Sequence, residues 1–179
     1  QSDFFFFFLA LGNGEVTLME LVGGYSALAR GGLYLPPSLL LEGDSAPPQP
    51  KQVFDPQAVS LISDILSDPN ARTLEFGPGN ILRFPVETAV KTGTSTDYRD
   101  AWAIGYSSRY TVGVWMGNLE QTPMADVTGS IGPALVLRAI FAELNRSADT
   151  RPLFRDPALQ KLRICRITGA GAGADDAAR

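Results

Sequence analysis

Residues 86–117 read VETAVKTGTSTDYRDAWAIGYSSRYTVGVWMG, and this stretch decides the fold. Its apolar side chains follow a period of two, as in strands whose successive residues point to opposite faces. Residues 86–95 are the first strand candidate, 101–106 the second and 110–117 the third. A short turn around Ser107 and Ser108 joins the last two. Strands joined by links this short predict an antiparallel meander.

Working outward, the period changes to that of helices. Thr17 and Glu20 form the T-x-x-E capping pattern. Leu18, Leu21, Val22, Tyr25, Leu28 and Ala29 then recur at helical spacing, and Gly31-Gly32 stops the run. Residues 42–52, EGDSAPPQPKQ, read as a polar linker or surface loop. Asp55-Pro56 is a cap followed by proline in the first turn. Leu61, Ile62, Ile65 and Leu66 mark a second helix, ending near Asp68-Pro69. FGPGN at 76–80 reads as a turn. A long helix is predicted over 132–145, with Leu137, Ile140, Phe141 and Leu144 on its apolar face. Residues 147–160 read as an extended connection, 162–167 as a last short strand and 169–179 as a flexible tail. Helices flanking an antiparallel sheet define an α+β domain.

Composition excludes several chemistries. With 45% hydrophobic and 19% charged residues the chain is globular. A net charge of −4 disfavours nucleic acid or an anionic membrane face as the main partner. There is no histidine, which removes Ser-His-Asp and Cys-His catalysis and histidine metal sites. The single cysteine, Cys165, permits no internal disulfide and reads as a structural thiol. Five phenylalanines at 4–8 open an apolar run of eight residues, where a membrane-spanning helix needs about 20. That run reads either as a buried strand or as a placeholder or damaged segment of the sequence. The chain opens mid-element and carries no targeting signal, which suggests a fragment.

The chemistry concentrates in VKTGTS, residues 90–95. A P-loop has glycine immediately before its lysine, and here Lys91 comes first. In a regular strand Lys91 and Gly93 face one side, Thr92 and Thr94 the other. Gly93 admits close approach of a ligand or a second backbone. If the strand is an edge, an extended peptide can pair with it. Lys91 supplies positive potential and the hydroxyls can bind a carboxylate, each such charge-assisted bond worth about 1.5–3 kcal/mol. The plainer reading is an edge strand with a protective lysine and ordinary β-forming threonines. K-T-G arises by chance in roughly one chain of this size in 25, so the triplet alone carries little.

Its surroundings carry more. VKTGTSTDYRDAWAIGYSSRYTVGVWMGN, residues 90–118, closely resembles the penicillin-binding proteins, and K-T-G is one of that superfamily's three motifs. LALGNGEVTLMELVGGYSALARGG, residues 9–32, resembles the segment leading to this strand in their class A, bifunctional branch. LQKLRICRITG, residues 159–169, resembles a junction to an additional C-terminal module. The resemblance covers about residues 9–169 and implies a partial penicillin-binding/serine β-lactamase-like fold. It divides the chain into the C-terminal portion of a transpeptidase domain, 1–146, and a connection with the start of a further module or tail, 147–179. It implies a D,D-transpeptidase that cross-links peptidoglycan stem peptides through a serine acyl-enzyme, needs no cofactor or metal, and is acylated by β-lactams. Lys91 and Thr94 are then catalytic: Lys91 orders the active-site hydrogen bonds, and the Thr94 N–H forms half of the oxyanion hole. Thr92, Gly93, Thr94 and Ser95 bind substrate. The implied parent is membrane-anchored at the periplasmic face of the inner membrane, carries a glycosyltransferase domain, and works beside other cell-wall synthesis proteins.

One departure matters. No serine in the chain is followed three positions later by lysine, and no convincing S-x-N triplet occurs. In the family both motifs precede the segment that starts this chain. The chain is therefore expected to hold the substrate-binding wall without the nucleophile. A β-lactamase or D,D-carboxypeptidase relative is one alternative, and the Asp100-Ala101-Trp102 continuation argues against it. A non-catalytic peptide-binding or scaffold module is the other. Trp102 and Trp115 read as packing between sheet and helices in preference to lining a cleft. Asp100 reads either as a partner of Arg99 or a backbone N–H, or as a simple turn acid.

Overall fold

The computed structural model describes residues 14–39, 48–77, 79, 81–125, 127–146, 151–165, 169 and 171. The phenylalanine run lies outside them. Helix α1, Leu18–Ala29, begins on the anticipated capping box: Thr17 Oγ1 accepts from the Glu20 N–H, and the Glu20 carboxylate accepts from the Thr17 N–H. It ends at Gly31 and Gly32, with φ of 68° and 95°, a left-handed geometry that glycine adopts without a Cβ penalty. Strand β1, Leu33–Tyr34, pairs antiparallel with β2, Lys51–Gln52. The expected loop over 42–52 thus ends in a short strand. The Gln52 side-chain amide donates to the carbonyls of Gly31, at 3.0 Å, and Phe54, at 2.6 Å, which ties the pairing to the helix stop.

Helix α2, Pro56–Ser67, starts where Asp55 Oδ1 accepts from the Gln57 and Ala58 N–H groups. A four-residue helix α3, Thr73–Phe76, follows; sequence reading saw only the turn after it. The main sheet then forms in the order β3-β4-β5. Its strands are β3, Ala89–Thr94, β4, Asp100–Tyr106, and β5, Thr111–Gly117. Both pairings are antiparallel, so the meander stands as expected. Helix α4, Pro133–Leu144, closes the domain.

The core has two layers because side chains alternate across the sheet. Val90, Ala103 and Val114 pack on one face against Ala134, Leu137 and Phe141 of α4. Ala89 and Tyr106 pack on the other against Tyr25 and Leu28 of α1, Leu66 of α2 and the buried Leu153. Residues 151–160 run without helix or strand and cross back over α2. The strand expected over 162–167 reduces, among the described residues, to one bridge between Ile164 and Gly171. Two partners make no ladder, and the glycine-rich sequence beyond offers little side-chain surface to extend it.

Candidate active site on the edge strand

Strand β3 is an edge of the described sheet, paired with β4 alone. Its register sets Lys91 opposite Ile104, Thr92 opposite Ala103, Gly93 opposite Trp102 and Thr94 opposite Ala101. Beyond the strand, the Ser95 N–H donates to the Asp100 carbonyl at 2.9 Å. Hydrogen-bonded pairs alternate along an antiparallel ladder. Residues 91, 93 and 95 therefore turn their backbone groups towards β4, and Thr92 and Thr94 turn theirs to the open edge. Thr94 is exposed and Thr92 and Gly93 half-buried. Lys91 is exposed, and its ammonium donates to the outward Thr92 carbonyl.

Two links fix the end of the strand. The Gly129 N–H donates to Thr94 Oγ1 at 3.1 Å. Ser95 Oγ accepts from the Asp100 N–H at 2.8 Å, so this hydroxyl closes the β3–β4 connection. Within that connection Asp97 and Tyr98 hold φ of 58° and 55°, and the Tyr98 carbonyl accepts from the Met124 N–H. Asp100 takes neither expected partner with its carboxylate: Oδ1 accepts from the Trp115 indole N–H at 2.8 Å, while Arg99 pairs with Asp97. Trp102 and Trp115 lie against each other with ring centroids 6.3 Å apart, both half-buried.

The start of β3 is anchored as firmly. The Arg72 guanidinium donates to the carbonyls of Leu66, Leu82 and Thr88, joining the end of α2 to the approach to β3. Burial lowers the Arg72 pKa, and the Asp68 carboxylate opposes that shift. Glu87 accepts from the Leu153 N–H at 2.9 Å and pairs with Arg155, which also reaches Asp64. A polar pocket of about 580 Å³, lined by Arg72, Glu87 and Thr88 among others, lies beside this anchor and includes neither Lys91 nor Thr94. Among the described residues no cluster of three or more His, Cys, Asp and Glu is placed to hold a metal. Nor is any helix there long and apolar enough to cross a membrane.

The five sequence candidates, Lys91, Thr92, Gly93, Thr94 and Ser95, thus lie on one strand and its exit. Sequence reading missed Gly129. A hydroxyl-glycine-hydroxyl triplet at 128–130 just before a Gly-Pro helix start was the available signal.

Comparison with known proteins places this geometry. The penicillin binding protein transpeptidase domain family matches residues 6–141. Penicillin-binding protein 1C of Escherichia coli is 34% identical over 149 residues, covering 80% of this chain and 18% of that protein. Penicillin-binding protein 1A/1B of Bacillus subtilis is 27% identical over 160 residues, covering 77% and 17%. The chain thus spans about a fifth of the length of these curated relatives. Among solved structures, the penicillin-binding protein PonA1 of Mycobacterium tuberculosis in complex with penicillin V superposes with a TM-score of 0.69 at 21% identity. That match covers 81% of this chain and 42% of PonA1. The superposition shows a fold in common with PonA1, and the family match with the sequence identity shows that the chain belongs to the penicillin-binding protein transpeptidase domain family.

Proposed function

We propose that this chain forms the substrate-binding wall of a peptidoglycan D,D-transpeptidase, within a longer class A penicillin-binding protein. One observation carries the reading: Thr94 stands on an open sheet edge with its N–H, C=O and exposed side chain available, three residues from an exposed lysine. An extended stem peptide ending in D-Ala-D-Ala adds to this edge as a strand. Thr92 and Thr94 hydroxyls hold its terminal carboxylate, and Lys91 supplies the attracting charge. The Thr94 carbonyl accepts a donor-peptide N–H. The Thr94 N–H is one of two oxyanion donors, each worth about 2.7–4 kcal/mol in the transition state.

The nucleophile is a serine of an S-x-x-K motif outside these 179 residues. Its oxygen bonds to the carbonyl carbon of the penultimate residue, the peptide bond breaks, and terminal D-Ala leaves with a proton. An amine of a second stem peptide then displaces the serine oxygen, completing the cross-link. β-Lactams acylate the same serine. The complete protein is anchored at the periplasmic face of the inner membrane and carries a glycosyltransferase domain. A second reading is a non-catalytic peptide-binding module, which the exposed edge strand with its lysine and hydroxyls would serve without a nucleophile. An intact S-x-x-K in the upstream coding sequence excludes it.

The test is acylation of the complete protein by labelled penicillin. Thr94→Val removes the hydroxyl and keeps the β-branched shape. A lost charge-assisted hydrogen bond of about 1.5–3 kcal/mol slows acylation roughly 10- to 150-fold. Lys91→Ala is more damaging. An unchanged rate in folded Thr94→Val removes the carboxylate role.

A further inference from the structure

Gly129 touches the proposed site from outside the strand that defines it. It is buried, and its N–H donates to Thr94 Oγ1 at 3.1 Å. A Cβ there would stand 2.6 Å from the carbonyl oxygens of both Gly93 and Trp102 and 3.0 Å from the Gly93 nitrogen. Those are backbone atoms of two paired strands, and they cannot swing aside. The loop that carries Gly129 is itself fixed. The Gly129 carbonyl accepts from the Ala134 N–H, and the Thr128 carbonyl from the Ile131 and Gly132 N–H groups, which joins the loop to the start of α4. The Thr128 and Ser130 hydroxyls share a 2.8 Å hydrogen bond.

We propose that Gly129 is a positioning residue that holds the Thr94 hydroxyl as a donor to the substrate carboxylate. This rests on the transpeptidase reading above. A hydroxyl has one proton and two acceptor sites. With one acceptor site filled by the Gly129 N–H, the hydroxyl proton is excluded from that direction and turns towards the exposed side of the strand. The bond also selects the side-chain rotamer, so less freedom is lost when the carboxylate arrives. Only a glycine brings a backbone N–H this close to Gly93.

The test compares acylation of the complete protein by penicillin and by its methyl ester, in which the carboxylate is masked. Wild type prefers the acid. Gly129→Ala lowers the acid rate about tenfold or more, the loss of one charge-assisted hydrogen bond, while the ester rate barely moves. Combining it with Thr94→Val adds little, because both changes remove the same interaction. A Gly129→Ala protein that keeps its acid preference, or that slows acid and ester alike, overturns the positioning role alone. A wild type that reacts with neither probe overturns the transpeptidase reading and this inference with it. If Gly129→Ala does not fold, amide exchange decides: Thr94→Val must accelerate exchange of the Gly129 N–H, and unchanged exchange overturns the proposal.

Discussion

Tyr106 shows how much one residue holds at the centre of the sheet. Its side chain is fully buried, its hydroxyl shares a 2.9 Å hydrogen bond with Ser63 of α2, and its ring meets the edge of Tyr25 of α1. Tyr106→Phe strands the buried Ser63 hydroxyl and is expected to cost about 1–3 kcal/mol in denaturant unfolding, most of it recovered by adding Ser63→Ala. Burial raises the pKa of both Tyr25 and Tyr106 above the ordinary 10.0. The unfolded chain therefore loses these protons first. Their contribution to stability is constant below the ordinary value and falls as pH rises through the higher folded values. At this scale the K-T-G triplet was readable, because the groups proposed to bind substrate belong to its own backbone and side chains. Gly129 was not: its proposed role depends on a contact 35 residues away, and the triplet around it marks a loop without naming that partner.

Elements were legible in proportion to how local their causes are. The capping box of α1 lies within four residues, and both of its hydrogen bonds form, at 2.8 and 3.2 Å. Thr17→Ala is expected to cost about 1 kcal/mol. Hydrogen bonds from Thr17 lower the Glu20 pKa. The cap is therefore present above the ordinary carboxylate range and is lost as pH falls through the lowered value. A carboxyl titration of Glu20 with a midpoint at or above that of a free glutamate would remove this account. The two-residue strands β1 and β2 had no such signal. Their pairing is imposed by the glycine stop and by Gln52, so it appears only when distant segments meet. The segment around Ile164 differs in the opposite direction: the sequence suggested a strand over 162–167, and among the described residues only the Ile164–Gly171 bridge forms.

The whole molecule was legible where period and link length spoke together. Three alternating segments with short links allow almost no topology but the observed meander, and the apolar stripe of α4 has only the sheet to cover. The return of residues 151–156 across α2 was not legible, since it rests on Arg155, Glu87 and Asp64 meeting in space. At this scale the expected behaviour of the chain alone is simple. Ser95 is about 13 Å from Lys91 by strand rise, too far for direct proton transfer. Its hydroxyl also accepts from the Asp100 N–H. Incubation of these 179 residues with labelled penicillin, followed by denaturation and intact mass measurement, is expected to show no stoichiometric adduct. A site-specific adduct would put the nucleophile inside the chain.

The paired indoles of Trp102 and Trp115 have a spectroscopic consequence. They are the chain's only two tryptophans. One is the register partner of Gly93, and the other is held by Asp100 at the exit of the same strand. At a centroid separation of 6.3 Å and a tilt of 56°, their strong transition dipoles are close enough to couple, so the far-ultraviolet circular dichroism is expected to carry an exciton signal from this corner of the sheet. If the edge strand binds a peptide as proposed, the bound peptide is expected to perturb that signal, without a label and without turnover.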